Sequence, residues 1–392
     1  MAPPLDAHAT APPALRELYK HYSKLPADVL STGPAAAQIL DLGHNDADNT
    51  SSCSGLRVVD TISRDDLSAI YTDFLGHDIP PSELSDVKIY EHSSLPGLRV
   101  LPSLLPLQVQ EALLSKLLLR DLSNPAHQTN IHLHYNIPPL PPPHPSFFHL
   151  PKPAAIYTPK DPDVHKPLTV ADVLEKKLRW MTLGGQYNWT TKEYPDGPPV
   201  PFPKDIRDLV HALFPTVEPQ AAICNTYSPG DTLSPHRDVS EEADRDLVSI
   251  SIGCDALFLI SLSPPESIED TPSDIPRLSN TPSDAHTPKQ KRRRKKTMEP
   301  PPPPPPFDEH TLILRVRSGD AIVMGGDSRW AWHGVPKVLA DTCPDELSQW
   351  PSSTSYSILS NGPDISDWAG WMTRKRVNLN VRQMYDWHPS LV

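Results

Sequence analysis

The sequence predicts an α+β fold in which an antiparallel, jelly-roll-like β core is flanked by helices. Three observations carry that expectation. From Ala221 onward the chain breaks into short β-type runs separated by turn residues. Upstream of them, apolar residues recur at helical spacing in separate segments. Proline supplies 50 of the 392 residues, which argues against an uninterrupted helical bundle and calls for long irregular connections.

Taken in order, residues 12–23 place Leu15, Leu18, Tyr19 and Tyr22 on one face of a short helix that opens with proline, as a helix N-terminus tolerates. Residues 43–55 are polar and turn-rich, hence a surface loop. A second helix follows Pro106, where Val109, Leu113, Leu117 and Leu118 recur at three- and four-residue intervals, and it ends near Ser123 and Asn124. Residues 135–165 are proline-rich, and 170–182 (VADVLEKKLRWMT) return to helical spacing before the chain turns extended. The β-type runs are 222–227, 247–252, 256–262, 311–317, 320–326, 355–359 and 377–385.

Between two of those runs, residues 264–307 hold 13 of the prolines, including the unbroken series Pro300 to Pro306. Such a segment cannot join a packed core and reads as a disordered insert looped out of the sheet, since long surface insertions add little closure entropy. The expected organisation is an N-terminal extension over 1–94 and a catalytic domain over 95–388, with the insert 264–307 inside it.

The formal charge is −12, which argues against a protein that coats nucleic acid over its whole surface and leaves room only for a local basic groove. Four cysteines without a C-x-x-C pair suit a reducing compartment. No apolar stretch approaches a membrane span, and the N-terminus lacks the pattern of a secretory signal, so a soluble intracellular protein with no membrane partner is expected.

His236 and Asp238 stand two residues apart, so on an extended segment both side chains leave the same side and can converge on one metal. By itself such a pair is as readily a surface feature. His333 lies in a strand-like context downstream, and two histidines with one carboxylate are the signature of non-haem Fe(II) oxygenases, whose other coordination positions stay open. Strict alternation then puts Arg376, Asn378, Asn380 and Arg382 on one strand face and Val377, Leu379 and Val381 on the other. An exposed face with solvated arginines is the plain reading; two guanidinium forks and two amides also make a cradle for a dicarboxylate, which Arg grips bidentately. Asn225 and Tyr227, just upstream of His236, add neutral hydrogen-bonding groups for the same ligand.

Together with Gly230, Leu233, Glu241, Asp320, Ser328, Arg329 and Gly334, these residues resemble, in order and spacing, the AlkB family of iron(II)/2-oxoglutarate dioxygenases. The stretches 178–182 and 187–189, with 201–203 and the N-terminal helix, resemble the eukaryotic AlkB homologue 1 subgroup. The resemblance implies a double-stranded β-helix, and Fe(II) held by His236, Asp238 and His333. It also implies 2-oxoglutarate held at its distal carboxylate by Arg376 with Tyr227 and Asn225, and Asn378 and Arg382 at the keto-acid end. Trp189 matches the aromatic that lines the base pocket. The implied reaction uses O2 to demethylate N-methylated bases in DNA or RNA, including tRNA, and releases formaldehyde, succinate and CO2. Ser240 lies where some members have a carboxylate that contacts the base, so no base preference transfers.

Other signals are weaker. His132 and His134 repeat the two-residue spacing but lack a third ligand and read as surface histidines. Cys224 and Cys254 read as small core groups, and Trp330 and Trp332 as packing residues. Residues 289–296 carry seven basic side chains in eight positions, open to reading as a nuclear address, a nucleic-acid tether or solvated charge; nucleus, cytoplasm or both are the expected locations. Two rivals remain at this stage: the same chemistry on a protein or small molecule, and a nuclear interaction protein with a vestigial iron site.

Overall fold

The computed structural model describes residues 5–30, 35–43, 55–140, 145–188, 191, 193–195, 199–262, 308–351 and 365–386. The strands in chain order are β1 (Ile39–Asp41), β2 (Leu56–Ile62), β3 (Val87–His92), β4 (Leu98–Leu101), β5 (Tyr135–Asn136), β6 (Thr158–Pro159), β7 (Trp180–Gly184), β8 (Ala221–Tyr227), β9 (Leu233–His236), β10 (Leu247–Gly253), β11 (Ala256–Ser261), β12 (Thr311–Val316), β13 (Ala321–Met324), β14 (Trp332–Val338) and β15 (Arg376–Arg382). Eight form a wholly antiparallel sheet ordered β2-β3-β4-β13-β10-β15-β8-β7, five form a second sheet ordered β1-β12-β11-β14-β9, and β5 and β6 make a separate ribbon.

Alternation along the strands sorts side chains into layers. In β11, Ala256, Phe258 and Ile260 join Val100, Leu247, Ile322 and Met324 of the larger sheet in a core between the two sheets. The intervening Leu257 and Leu259 face outward and are covered by Leu15, Leu18 and Tyr22 of helix α1 (Pro13–Lys24). On the larger sheet, Val248, Ile250, Val377 and Leu379 face outward beneath α2 (Arg64–Leu75), α3 (Leu107–Ser115) and α4 (Lys204–Leu213). Both faces of β15 are therefore buried, so its arginines are not a solvated face.

Several expectations need correction. The helical reading of 170–182 holds over 170–177, of which Asp172–Lys177 form a wide helical turn. Leu178 leaves helical backbone geometry at ψ 123°, and Trp180–Gly184 pairs with β8 as an edge strand. A boundary between 94 and 95 would cut one sheet, because β3 pairs with β4 through Tyr90↔Val100 and Glu91↔Arg99, and β1 pairs with β12. Helices α2 and α4 have no counterpart among the segments expected to be helical. α2 carries its own punctuation, a Ser63 cap accepting from the Asp66 amide and Gly76 at φ 74° closing its end. α4 buries Ile206, Leu209, Val210 and Leu213 at helical spacing. The insert 264–307, the strand expected at 355–359 and Trp189 lie outside the described residues. No helix among the described residues is long and apolar enough to cross a membrane.

Candidate metal and co-substrate site

β9 and β14 pair so that His236 lies directly opposite His333. Cross-strand partners sit close, and here the two ring centroids are 4.4 Å apart. Close approach is possible because residue 334 is glycine; a Cβ there would meet the Leu233 carbonyl oxygen at 2.7 Å. Asp238, two residues past His236, brings Oδ1 to 3.7 Å from His236 Nε2 and Oδ2 to 3.7 Å from His333 Nε2. One ligand atom from each residue falls within 4.8 Å of the others.

The tautomers suit a cation. His236 Nδ1 donates to the Ser234 carbonyl at 2.9 Å and His333 Nδ1 to the Ala331 carbonyl at 3.2 Å, which leaves both Nε2 atoms as bare lone pairs. His333 Nε2 is buried without a hydrogen-bond partner among the described residues. Burial, reinforced by His236 beside it, pushes His333 down to about 3, so the ring stays neutral and ligand-competent. Burial works to raise Asp238, but Arg382 and then the two histidines outweigh it and hold the carboxyl well below the usual carboxylate range. Two imidazoles and a carboxylate are a donor set that fits Fe(II).

Behind Asp238 lies a closed charge cluster. Arg382 donates to Asp238 Oδ2 at 2.8 Å and to Glu241 Oε1 at 3.2 Å. Arg329 donates to Glu241 Oε2 at 2.9 Å, to the Asp238 carbonyl at 2.7 Å and to the Arg245 carbonyl at 2.8 Å. The Arg329 and Glu241 side chains are 1% and 0% exposed. Tyr194 donates to Glu241 at 3.4 Å, and Tyr187 meets the Ser240 hydroxyl at 3.3 Å.

Arg376 differs. It is buried, its Nη2 donates to Ser251 Oγ at 2.8 Å and its Nη1 to the Cys254 carbonyl at 3.3 Å, while Nε has no partner among the described residues. No carboxylate pairs with it among the described residues, and burial presses its pKa down. A buried guanidinium without a protein counter-charge is a ready receptor for an anion. Tyr227 faces it in register, and burial pushes that phenol up, so it stays a neutral donor. Gly253, at φ 93°, turns the chain from β10 toward β11; a Cβ there would meet the Lys375 carbonyl oxygen at 2.4 Å.

The structure thus brings His236, Asp238 and His333 together and sets Arg376 beside Tyr227. Asn225 stands opposite Asn378 in the same pair of strands. The free amide donors expected at Asn378 are already used, by Ser249 Oγ at 2.9 Å and the Ile250 carbonyl at 3.0 Å. Arg382, expected at the keto-acid end, donates to Asp238 and Glu241 beside the metal cluster. Missed in the sequence were Ser249 and Ser251, whose alternation with Val248, Ile250 and Ile252 marks a polar inner face, and the pairing of Glu241 with Arg329. His132 caps a short helix through Thr129, and Cys224, Cys254 and Trp332 pack in the interior as expected.

This arrangement of two opposed sheets, a two-histidine, one-carboxylate cluster and a buried arginine defines a class of oxidative enzyme. The chain belongs to the 2OG-Fe(II) oxygenase superfamily, whose sequence profile matches residues 149–382, and its cofactors are accordingly Fe(II), 2-oxoglutarate and O2. Within it, the chain is an AlkB-family dioxygenase of the homologue 1 type. It is 41% identical to the N6-methyladenosine RNA demethylase ALKB1 of Pyricularia oryzae, over 97% of this chain and 98% of that one. The N6-methyladenosine RNA demethylase ALKBH of Cryphonectria parasitica is 46% identical over 65% of this chain and 100% of its own. The tRNA demethylase abh1 of Schizosaccharomyces pombe is 33% identical, over 76% and 82% respectively.

Proposed function

We propose that this enzyme removes N-methyl groups from bases in nucleic acid by hydroxylation, releasing formaldehyde, with 2-oxoglutarate converted to succinate and CO2. The observation that carries the reading is the combination of three ligand atoms within 4.8 Å with a buried guanidinium on the facing sheet that has no ion-pair partner among the described residues. In this reading the two sheets are the halves of a double-stranded β-helix, or jelly roll, and His236, Asp238 and His333 hold the iron. Arg376 takes the distal carboxylate of 2-oxoglutarate, with Tyr227 donating beside it and Asn225 and Asn378 lining the cradle. Bound iron and 2-oxoglutarate supply O2 activation for attack on a methyl C–H bond. The protein supplies geometry: Arg382 keeps Asp238 ionised and aimed, backbone carbonyls hold both imidazoles in one tautomer, and the apolar inter-sheet core around Phe258 keeps water away.

RNA is the first substrate class to test, because the relatives at 41% and 46% identity are named N6-methyladenosine RNA demethylases; tRNA follows from the third. Trp189, two positions after Tyr187 in the sequence, is the residue proposed to stack on the base, a contact tolerant of base identity. The full chain with Fe(II) and 2-oxoglutarate is incubated with oligonucleotides carrying N6-methyladenosine or 1-methyladenosine, and with unmethylated controls. Formaldehyde and loss of the methylated nucleoside are then measured by mass spectrometry. Equal release of both products with methyl loss is the expected result. Turnover of 2-oxoglutarate without loss of methyl from any oligonucleotide would transfer the chemistry to a protein or small-molecule substrate. The basic run at 289–296 supports entry to the nucleus as well as the cytoplasm, and unchanged distribution of a 264–307 deletion would remove that reading.

A further inference from the structure

A cleft of about 370 Å3 opens where the N-terminal segment and α1 meet β9, the edge strand of the smaller sheet. Its rim reaches the metal site, because His236 is one of its lining residues. Arg237 follows His236 in the chain and Trp332 precedes His333, and the Arg237 guanidinium lies over the Trp332 ring at 4.4 Å. Trp332 is 2% exposed and packs with Leu15 and Leu18 of α1, so it is a fixed platform that sets the plane of the guanidinium. Arg16 and Lys20, four residues apart on α1, bring two more cations to the cleft from one helix face. Neither Arg16 nor Arg237 has an ion-pair partner among the described residues. Lys20 meets Glu17 at 2.7 Å, but both side chains are more than half exposed and such a pair holds weakly. The one carboxylate in the lining, Asp6, accepts the His8 amide at 2.7 Å. Thr10, Tyr19 and Ser234 add hydroxyls, and small apolar residues complete the wall. Three cations against one carboxylate make a cationic cleft on a chain whose formal charge is −12.

We infer that this cleft holds a backbone phosphodiester of the substrate strand, beside the nucleotide presented to the metal site; the inference rests on the nucleic-acid substrate of the reading above. A guanidinium fork held flat on an indole suits the two free oxygens of a phosphodiester, and the flanking ammonium and hydroxyls suit the same group. The position is right for it. The Arg237 Cα is about 3.8 Å from those of His236 and Asp238, while alternation in extended chain turns its side chain away from theirs. Arg237 therefore flanks the metal site without entering it, and a strand with a base at the metal carries its backbone past this rim. An acidic protein confines its attraction for nucleic acid to such a spot, next to the chemistry.

The test is fluorescence anisotropy of the full chain, with Co(II) in place of iron so that nothing turns over, on a short labelled single-stranded RNA carrying one N6-methyladenosine. In a parallel series one phosphodiester at a time is replaced by an uncharged methylphosphonate. Neutralising one linkage next to the methylated nucleotide should weaken binding about tenfold, the scale of one charge-assisted hydrogen bond. Arg237→Met should weaken the unsubstituted RNA by the same factor and no longer respond to that linkage. Its plot of log affinity against log salt should be shallower by about 0.7, the counterion release of one single-strand phosphate. The double variant Arg16→Met, Lys20→Met, on a helix that supplies no metal ligand, should flatten the plot likewise, and it decides the case if Arg237→Met loses Co(II) absorption. Indifference to every linkage, an Arg237→Met protein that still responds to the same linkage, an unchanged salt slope in the double variant, or a glutamate-rich peptide competing as well as unlabelled RNA would overturn the inference. Linkage-dependent RNA binding without methyl loss in the iron-loaded enzyme would sink the demethylase reading and leave this site standing, whereas methyl loss without any linkage effect would do the reverse.

Discussion

Arg329 is the residue whose loss should be felt most beyond His236, Asp238 and His333 themselves. In the cluster behind Asp238, two guanidiniums, Arg329 and Arg382, face two carboxylates, Asp238 and Glu241, and the Arg329 and Glu241 side chains are essentially sealed from water. Arg329→Met keeps most of the volume but removes one positive charge and three donated bonds, leaving a net negative cluster and two unpaired backbone carbonyls. Breaking one side of a buried pair costs about 3–5 kcal/mol, because the remaining ion keeps its desolvation penalty. Glu241 still holds Arg382 and Tyr194, which favours the lower end, about 3 kcal/mol. At roughly 2–4 °C per kcal/mol for a domain of this size, thermal unfolding should shift down by about 6–12 °C. Divalent-metal affinity, read by Co(II) absorption, should fall roughly 10- to 100-fold, since the carbonyl anchor of Asp238 is gone. The double variant Arg329→Met, Glu241→Met should recover part of the lost stability, because removing both partners cancels the stranded charge. A melting temperature within 2 °C of wild type, or a double variant no more stable than the single, would refute the cluster's role.

Asp238→Ala should abolish 2-oxoglutarate turnover while circular dichroism shows a folded protein, and retained activity would remove Asp238 from the metal site. Arg376→Lys should raise the KM for 2-oxoglutarate at least tenfold, because an ammonium cannot reproduce a two-pronged grip; an unchanged KM sinks the assignment. Asp205 is a structural test. Burial would raise its carboxyl, but Arg120 and Lys116 hold it down at about 2. A folded-state pKa below the unfolded one gives stability that is present above about pH 4 and lost as the pH falls toward 2, here about 2 kcal/mol by linkage. Asp205→Asn should therefore destabilise the protein at pH 7 and leave it indistinguishable from wild type near pH 2, as followed by urea unfolding.

What the sequence by itself determined is what short-range periodicity and residue chemistry can encode. The alternation of 376–382 announced a strand with one polar and one apolar face, and the structure keeps both. His236 and Asp238 share a side because two residues in extended chain always do. Leu15, Leu18 and Tyr22 formed one helical stripe and are buried together. Tertiary structure decided whatever depends on pairing between distant segments. Only the β9–β14 register sets His333 against His236, since a shift of one residue would turn it to the other face. Trp180–Gly184 became a strand because β8 offered it an edge, overriding a helical pattern, and 56–92 joined the main sheet through a β3–β4 pairing that composition cannot reveal. The same holds for the arginines. Arg376 and Arg382 are equivalent by sequence pattern, yet Arg382 closes on Asp238 and Glu241 while Arg376 has no ion-pair partner among the described residues, because a charge's role is set by which neighbours are buried with it.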